Sequence, residues 1–159
     1  MEQKDCLFCK IIKGELPSHK VWEDKDYLAF LTIFPNTKGA TVVTTKKHYP
    51  SYAFDLEDPV LKKMILATKK VAKLLDSAFE DVARTAMVFE GYGVDHVHAK
   101  LYPLHGTKTN AADGEWKAIH SNTKAYFNTY PGYVSSNDSE RADDKELAEL
   151  AKRIRELNK

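Results

Sequence analysis

The chain has 159 residues, 24 of them basic and 23 acidic, with 43% hydrophobic and 11% aromatic. That length suits one domain with a full core and no need of staples. A formal net charge of +1 builds no field to gather nucleic acid or an anionic membrane, so an anionic ligand must be met by local groups. No apolar run approaches the length of a membrane span, and residues 1–17 lack a secretory pattern, so the expectation is a soluble, cytoplasmic protein.

Residues 6–13, Cys-Leu-Phe-Cys-Lys-Ile-Ile-Lys, predict a short helix capped by Asp5 and closed near Gly14, with Leu7, Phe8, Ile11 and Ile12 as its apolar stripe. His19 to Trp22 and Tyr27 to Phe34 predict two strands joined as a hairpin across the polar link 23–26. Phe34 to Gly39 reads as a turn, and the β-branched run Ala40 to Thr45 as a third strand. Asp58-Pro59 opens the longest helix, with the aspartate as cap and the proline at the first helical position. Its buried stripe is Val60, Leu61, Met64, Ile65, Thr68, Val71, Ala72, Leu75 and Phe79; the lysines at 62, 63, 69, 70 and 73 form a solvated face rather than a nucleic-acid contact.

Arg84 to Phe89 predicts a fourth strand, and His96 to Leu101 a fifth. In the fifth, strict alternation puts His96, His98 and Lys100 on one face and Val97, Ala99 and Leu101 on the other. Residues 106–144 are polar but carry Trp116, Tyr126, Phe127, Tyr130 and Tyr133, too many aromatics for a free linker, so this stretch is expected to wrap over the body or cover the site. Asp144 to Leu157 predicts an amphipathic docking or dimer helix with Leu147, Leu150, Ile154 and Leu157 on one stripe. The fold class is therefore α+β: a five-stranded, mainly antiparallel sheet with one long helix, a short N-terminal helix and a C-terminal helix. Residues 1–106 form the domain proper, and 107–159 an extension packed on it.

Two imidazoles and an ammonium in one row suit chemistry on a phosphate, because imidazole is a nucleophile, acid-base group or ligand and lysine supplies charge for phosphoryl oxygens. Partly buried strand histidines would show the same pattern. The two cysteines, Cys6 and Cys9, are too close for a disulfide framework and leave a metal site, a redox pair or core thiols. A redox pair usually follows a strand in a βαβ unit, which is missing here. Zinc would need two further ligands. His48, after the third strand, and His96, at the start of the fifth, are the candidates, with His105 as a rival; His19 and His120 read as surface histidines.

With Cys-Leu-Phe-Cys-Lys-Ile-Ile-Lys-Gly-Glu-Leu-Pro-Ser, Tyr-Leu-Ala-Phe-Leu-Thr-Ile, Lys-Gly-Ala-Thr-Val-Val-Thr-Thr-Lys-Lys-His and His-Val-His-Ala-Lys in that order, the chain resembles the histidine triad (HIT) superfamily of nucleotide hydrolases and transferases over about residues 5–106. The resemblance implies a homodimer around an antiparallel sheet and, as in many bacterial members, a structural zinc on Cys6, Cys9, His48 and His96. It assigns His98 as the nucleophile that attacks the α-phosphate of a nucleotide, giving a nucleotidyl-histidine that water cleaves. Lys100 would hold the phosphate and keep His98 neutral.

The resemblance also places Leu7, Phe8, Ile11, Phe30, Thr32, Ile33 and Lys100 around the nucleotide, a role the apolar ones can combine with core packing. The chain departs from the family pattern at Lys100, which replaces the third histidine, and at Thr32, which replaces a ribose-binding aspartate. Gly91-Tyr92-Gly93-Val94 lacks the glutamine and hydroxyl of the phosphate loop, and Phe89 stands where an asparagine is common. The implied activity is hydrolysis or nucleotidyl transfer on a purine nucleotide phosphoramidate or dinucleoside polyphosphate. Its rival is a catalytically weak nucleotide-binding or protein-interaction module on the same scaffold.

Overall fold

The computed structural model describes residues 5–108, 123, 125, 127–132, 134 and 139–158. Helix α1 spans Leu7–Ile12, strands β1 to β3 span His19–Glu23, Tyr27–Leu31 and Thr41–Thr45, and helix α2 spans Asp58–Ala78. Strands β4 and β5 span Thr85–Val88 and His98–Pro103, and helix α3 spans Asp144–Glu156. The strands form one sheet in the order β1-β2-β3-β5-β4, every neighbouring pair antiparallel. This is the α+β architecture that the residue pattern predicts. No described helix is long and apolar enough to cross a membrane.

Both faces of the sheet are covered, which is why β2 and β3 are buried at every position. On one face Val21, Ala29, Leu31, Val43, Ala99 and Leu101 pack with Met64, Val71 and Leu75 of α2 and Leu147, Leu150 and Ile154 of α3 in the main core. The other face carries a smaller cluster, Leu28, Phe30 and Val42 of the sheet with Cys6, Phe8 and Cys9 of the α1 segment. Side chains alternate along a strand, so His98 and Lys100 share that second face with Thr44 and Val42, their direct cross-strand partners.

Several boundaries differ from the sequence expectation for physical reasons. Cys6, rather than Asp5, caps α1: its sulfur accepts from the Cys9 N–H at 3.5 Å. Helix α2 begins at Asp58 behind Glu57, and the Asp58 carboxylate pairs with Lys62 one turn on at 3.1 Å instead of capping. In α2 the buried line is Met64, Ala67, Thr68, Val71 and Leu75, whereas Ile65 is 39% exposed. Strand β2 stops at Leu31, because Thr32 Oγ1 accepts from the Phe34 N–H at 3.3 Å and Pro35 follows. The connection back to β3 crosses the Phe79 ring at Gly39, whose φ is +84° and where an added Cβ would lie 2.7 Å from that ring. Only glycine fits there.

The largest correction concerns the fifth strand. It starts at His98, two residues later than expected, because the Val97 N–H donates to the Tyr49 carbonyl at 3.0 Å and Asp95 accepts from the Ser51 N–H at 2.9 Å. Residues 95–97 are thus held by the loop after β3, and His96 lies outside the strand ladder.

Candidate metal centre and nucleophile site

The loop that takes His96 out of the ladder brings it to the cysteines. Donor atoms of Cys6, Cys9, His48 and His96 all lie within 4.8 Å of one another. Cys6 Sγ is 3.4 Å from His96 Nδ1, and Cys9 Sγ is 3.5 Å from His48 Nδ1 and 3.6 Å from His96 Nδ1. In a tetrahedral site with zinc-sulfur near 2.3 Å and zinc-nitrogen near 2.05 Å, the sulfur-to-nitrogen edge is about 3.6 Å. The donor set and its spacing therefore fit such an ion.

His96 is oriented for that role from behind. Its Nε2–H donates to the Thr45 carbonyl at 2.8 Å, which leaves the Nδ1 lone pair facing the thiols. Burial, reinforced by His48, holds the His96 pKa down to about 4, so the imidazole is neutral. Burial and the neighbouring Cys6 push the Cys9 thiol up to about 11. A divalent cation reverses that preference and draws the thiolate form. The other histidines are elsewhere: His105 pairs with Asp81 at 3.0 Å and His19 with Asp144 at 2.9 Å. His120, Trp116, Tyr126 and Tyr133 lie outside the described residues.

Beside this cluster, His98 is 2% exposed. Its Nδ1–H donates to the carbonyl of His96 at 2.7 Å, so Nε2 is the nitrogen that keeps a lone pair for reaction. Burial first, then the Lys100 cation, lowers its pKa, against the opposing pull of the His96 carbonyl and Glu90. Phe8 meets the ring edge-on at 5.1 Å and Phe30 at 5.6 Å, and so walls one side of the site. Ile11 packs on the same small cluster, Leu7 is 46% exposed, and Thr32 is half-buried at the end of β2. Ile33 packs instead against the main core, its carbonyl accepting from the Ala142 N–H at 2.8 Å.

Lys100 does not stand alone. Its ammonium donates to Glu90, a carboxylate that sequence reasoning treated only as part of a link, and Glu90 also accepts from the Tyr130 hydroxyl. Burial works against the Glu90 charge, but these two bonds outweigh it and keep its pKa below the usual carboxylate value. Tyr130 is pushed up to about 12, by burial and then by Glu90. The signal for Glu90 lay in the register: Val88 pairs with Lys100, so two residues further the chain comes level with His98. A separate cavity of about 330 Å³, lined by Lys25, Tyr27, Lys47, Tyr49, Val60 and Lys63 among others, lies between the β2–β3 end and the start of α2, away from His98.

An antiparallel sheet with His98 and Lys100 on one face and a Cys2His2 cluster beside them is the arrangement of a histidine triad protein. The HIT domain model matches residues 13–106, and the chain belongs to that family. It is 35% identical over 118 residues to the protein named "hit" of Bacillus subtilis, covering 72% of this chain and 80% of that one. With the adenosine 5'-monophosphoramidase of Saccharomyces cerevisiae it shares 34% identity over 113 residues, covering 71% of this chain and 70% of the relative. Among solved structures, a HIT-like protein from Bartonella henselae superposes with a TM-score of 0.66 at 26% identity, covering 97% of this chain and 96% of that one. A zinc-bound histidine triad protein from Mycobacterium smegmatis gives a TM-score of 0.67 at 19% identity over 98% and 94% of the two chains, a likeness of fold.

Proposed function

We propose that the protein is a hydrolase or nucleotidyl transferase acting at the α-phosphate of a purine nucleotide conjugate, with His98 as nucleophile. The observation that carries this reading is the bond from His98 Nδ1–H to the His96 carbonyl, which orients the ring and leaves the Nε2 lone pair for attack, while burial and Lys100 favour the neutral form. Nε2 forms a bond to phosphorus as the bond to the leaving group breaks, an amine departing with a proton taken from solvent and a phosphate chain as its anion. Water then attacks phosphorus and gives up a proton to solvent, the bond to Nε2 breaks, and nucleoside monophosphate and neutral imidazole return. Lys100 offsets charge on the transferring oxygens. Phe8, Phe30, Ile11 and Leu7, with Thr32 beyond them, line the approach for base and ribose, while Ile33, turned to the main core, drops out of that set. The phosphoramidase activity for which the yeast relative is named supports the same chemistry here.

Cys6, Cys9, His48 and His96 would hold a structural zinc. With all four positions filled by protein it supplies rigidity and no open coordination place. The unit in solution is a homodimer, and the two buried free thiols suit the reducing cytoplasm.

A second reading, a nucleotide-binding module with little turnover, draws on the pairing of Lys100 with Glu90 and the burial of His98. Parent and His98→Ala, assayed with adenosine 5'-phosphoramidate and with a dinucleoside tetraphosphate, separate the two. The enzyme reading expects the substitution to lower turnover by about a thousandfold or more. Equal rates for both proteins would refute it.

A further inference from the structure

The one charged group beside His98 that the proposed chemistry leaves without a task is Glu90. Its side chain is 7% exposed, next to a Lys100 side chain that is 11% exposed. Strands β4 and β5 run antiparallel from Thr85↔Pro103 to Val88↔Lys100, and the same register carried two residues further brings Glu90 level with His98, with which it interacts electrostatically. From there one carboxylate oxygen accepts from the Lys100 ammonium and the other from the Tyr130 hydroxyl, whose ring also lies 6.1 Å from that of Tyr92. Glu90 is thus tied on both oxygens and fixed in place.

A buried ion pair is a poor device for stability, since apolar residues of similar volume usually serve as well. What the pair does change is the charge that an incoming substrate meets. Lys100 alone would present a positive site to a phosphate chain. Lys100 with Glu90 presents a neutralised pair, whose carboxylate opposes any further negative charge brought beside it. Leaving groups at an α-phosphate fall into two classes. An amine brings N–H donors and departs neutral or as a cation, whereas a phosphate chain brings several negative charges.

We propose that Glu90 determines the leaving group: its carboxylate, held beside Lys100 and level with His98, accepts conjugates whose leaving group is an amine and rejects those whose leaving group is a phosphate chain. The inference rests on the reading of His98 as the site of attack. A like charge brought close to a buried carboxylate shifts such a preference by about tenfold to a hundredfold.

The test compares kcat/KM for an adenosine 5'-phosphoramidate bearing a primary amine with that for diadenosine tetraphosphate, in the parent and in Glu90→Gln, which keeps the shape and removes the charge. The parent is expected to favour the amidate by at least tenfold, and Glu90→Gln to narrow that ratio tenfold or more, chiefly by gaining on the tetraphosphate. In a His98→Ala background, where nothing turns over, calorimetry should show Glu90→Gln tightening the tetraphosphate at least tenfold and AMP by less than threefold. A parent that cleaves both substrates equally overturns the inference with no variant needed. So does a Glu90→Gln protein in which both substrates fall in step, the mark of a merely structural residue. Absence of turnover and of nucleotide binding in the parent would instead remove the function itself, and this inference with it.

Discussion

The Asp81 carboxylate accepts from His105 Nδ1 at 3.0 Å and from the Gly106 N–H at 3.0 Å, which closes the chain after β5 back onto the end of α2. Those bonds, the one from His105 first, hold its pKa below the ordinary 3.8. A carboxylate with a depressed folded pKa contributes stability that is complete above its unfolded value and is lost as pH falls through the lower, folded one. Asp81→Asn should therefore melt below the parent at pH 6, and the gap should close toward pH 2; a gap that stays constant would show that the charge is not involved. This contact was invisible in the sequence, where His105 stood as a rival metal ligand. Glu90 was hidden for the same reason: its partner is ten positions away and becomes a neighbour only through strand register. His98 was legible because its neighbours in sequence are its neighbours in space, and the atom that orients it belongs to residue 96.

At the scale of the element, periodicity, caps and β-branched runs located the eight α-helices and strands among the described residues, because these signals belong to the segment itself, while the 3-10 turn at Ala53–Asp55 went unread. The ends were less readable. Strand β5 lost two residues to a competing pair of bonds with the loop at 49–51, and α1 took a cysteine as its cap, choices that depend on distant chain. Helix α1 has only six residues, too few to hold itself in water. It is anchored by Phe8 and Cys9, packed on Leu28, Phe30 and Val42 of the sheet, and the proposed zinc would tie it further. Cys9→Ser should lower bound zinc below one equivalent per chain by elemental analysis and reduce the melting temperature, while a chelator should affect the parent and leave the variant nearly unchanged. Helix α3 is held by apolar burial instead: Ile154 is 0% exposed in the main core. Ile154→Ala should cost about 2–5 kcal/mol in urea unfolding, and a loss under 1 kcal/mol would mean that the helix contributes little to the core.

For the whole molecule, the sheet divides two tasks between its faces: α2 and α3 build the main core on one, and α1, the metal cluster and His98 occupy the other. Leu147, Leu150 and Ile154 of α3 are consumed by the core of their own chain, so the contact of the proposed homodimer would lie on another element. Leu66 is 61% exposed, Ile65 39% and Met87 44%, on adjoining α2 and β4 at the sheet's edge. Such exposed apolar side chains suit the proposed contact with a second copy of the chain. Leu66→Glu should shift sedimentation from dimer to monomer at micromolar concentration with the circular dichroism spectrum unchanged; an undisturbed dimer would place the contact on another face.

A single peptide unit serves two masters here. The side chain of residue 96 belongs to the thiol cluster, while its oxygen steers the neighbouring imidazole two positions on. Whatever tilts that residue reaches both, so on the proposed reading removal of zinc would disturb the orientation of His98 without touching its ring.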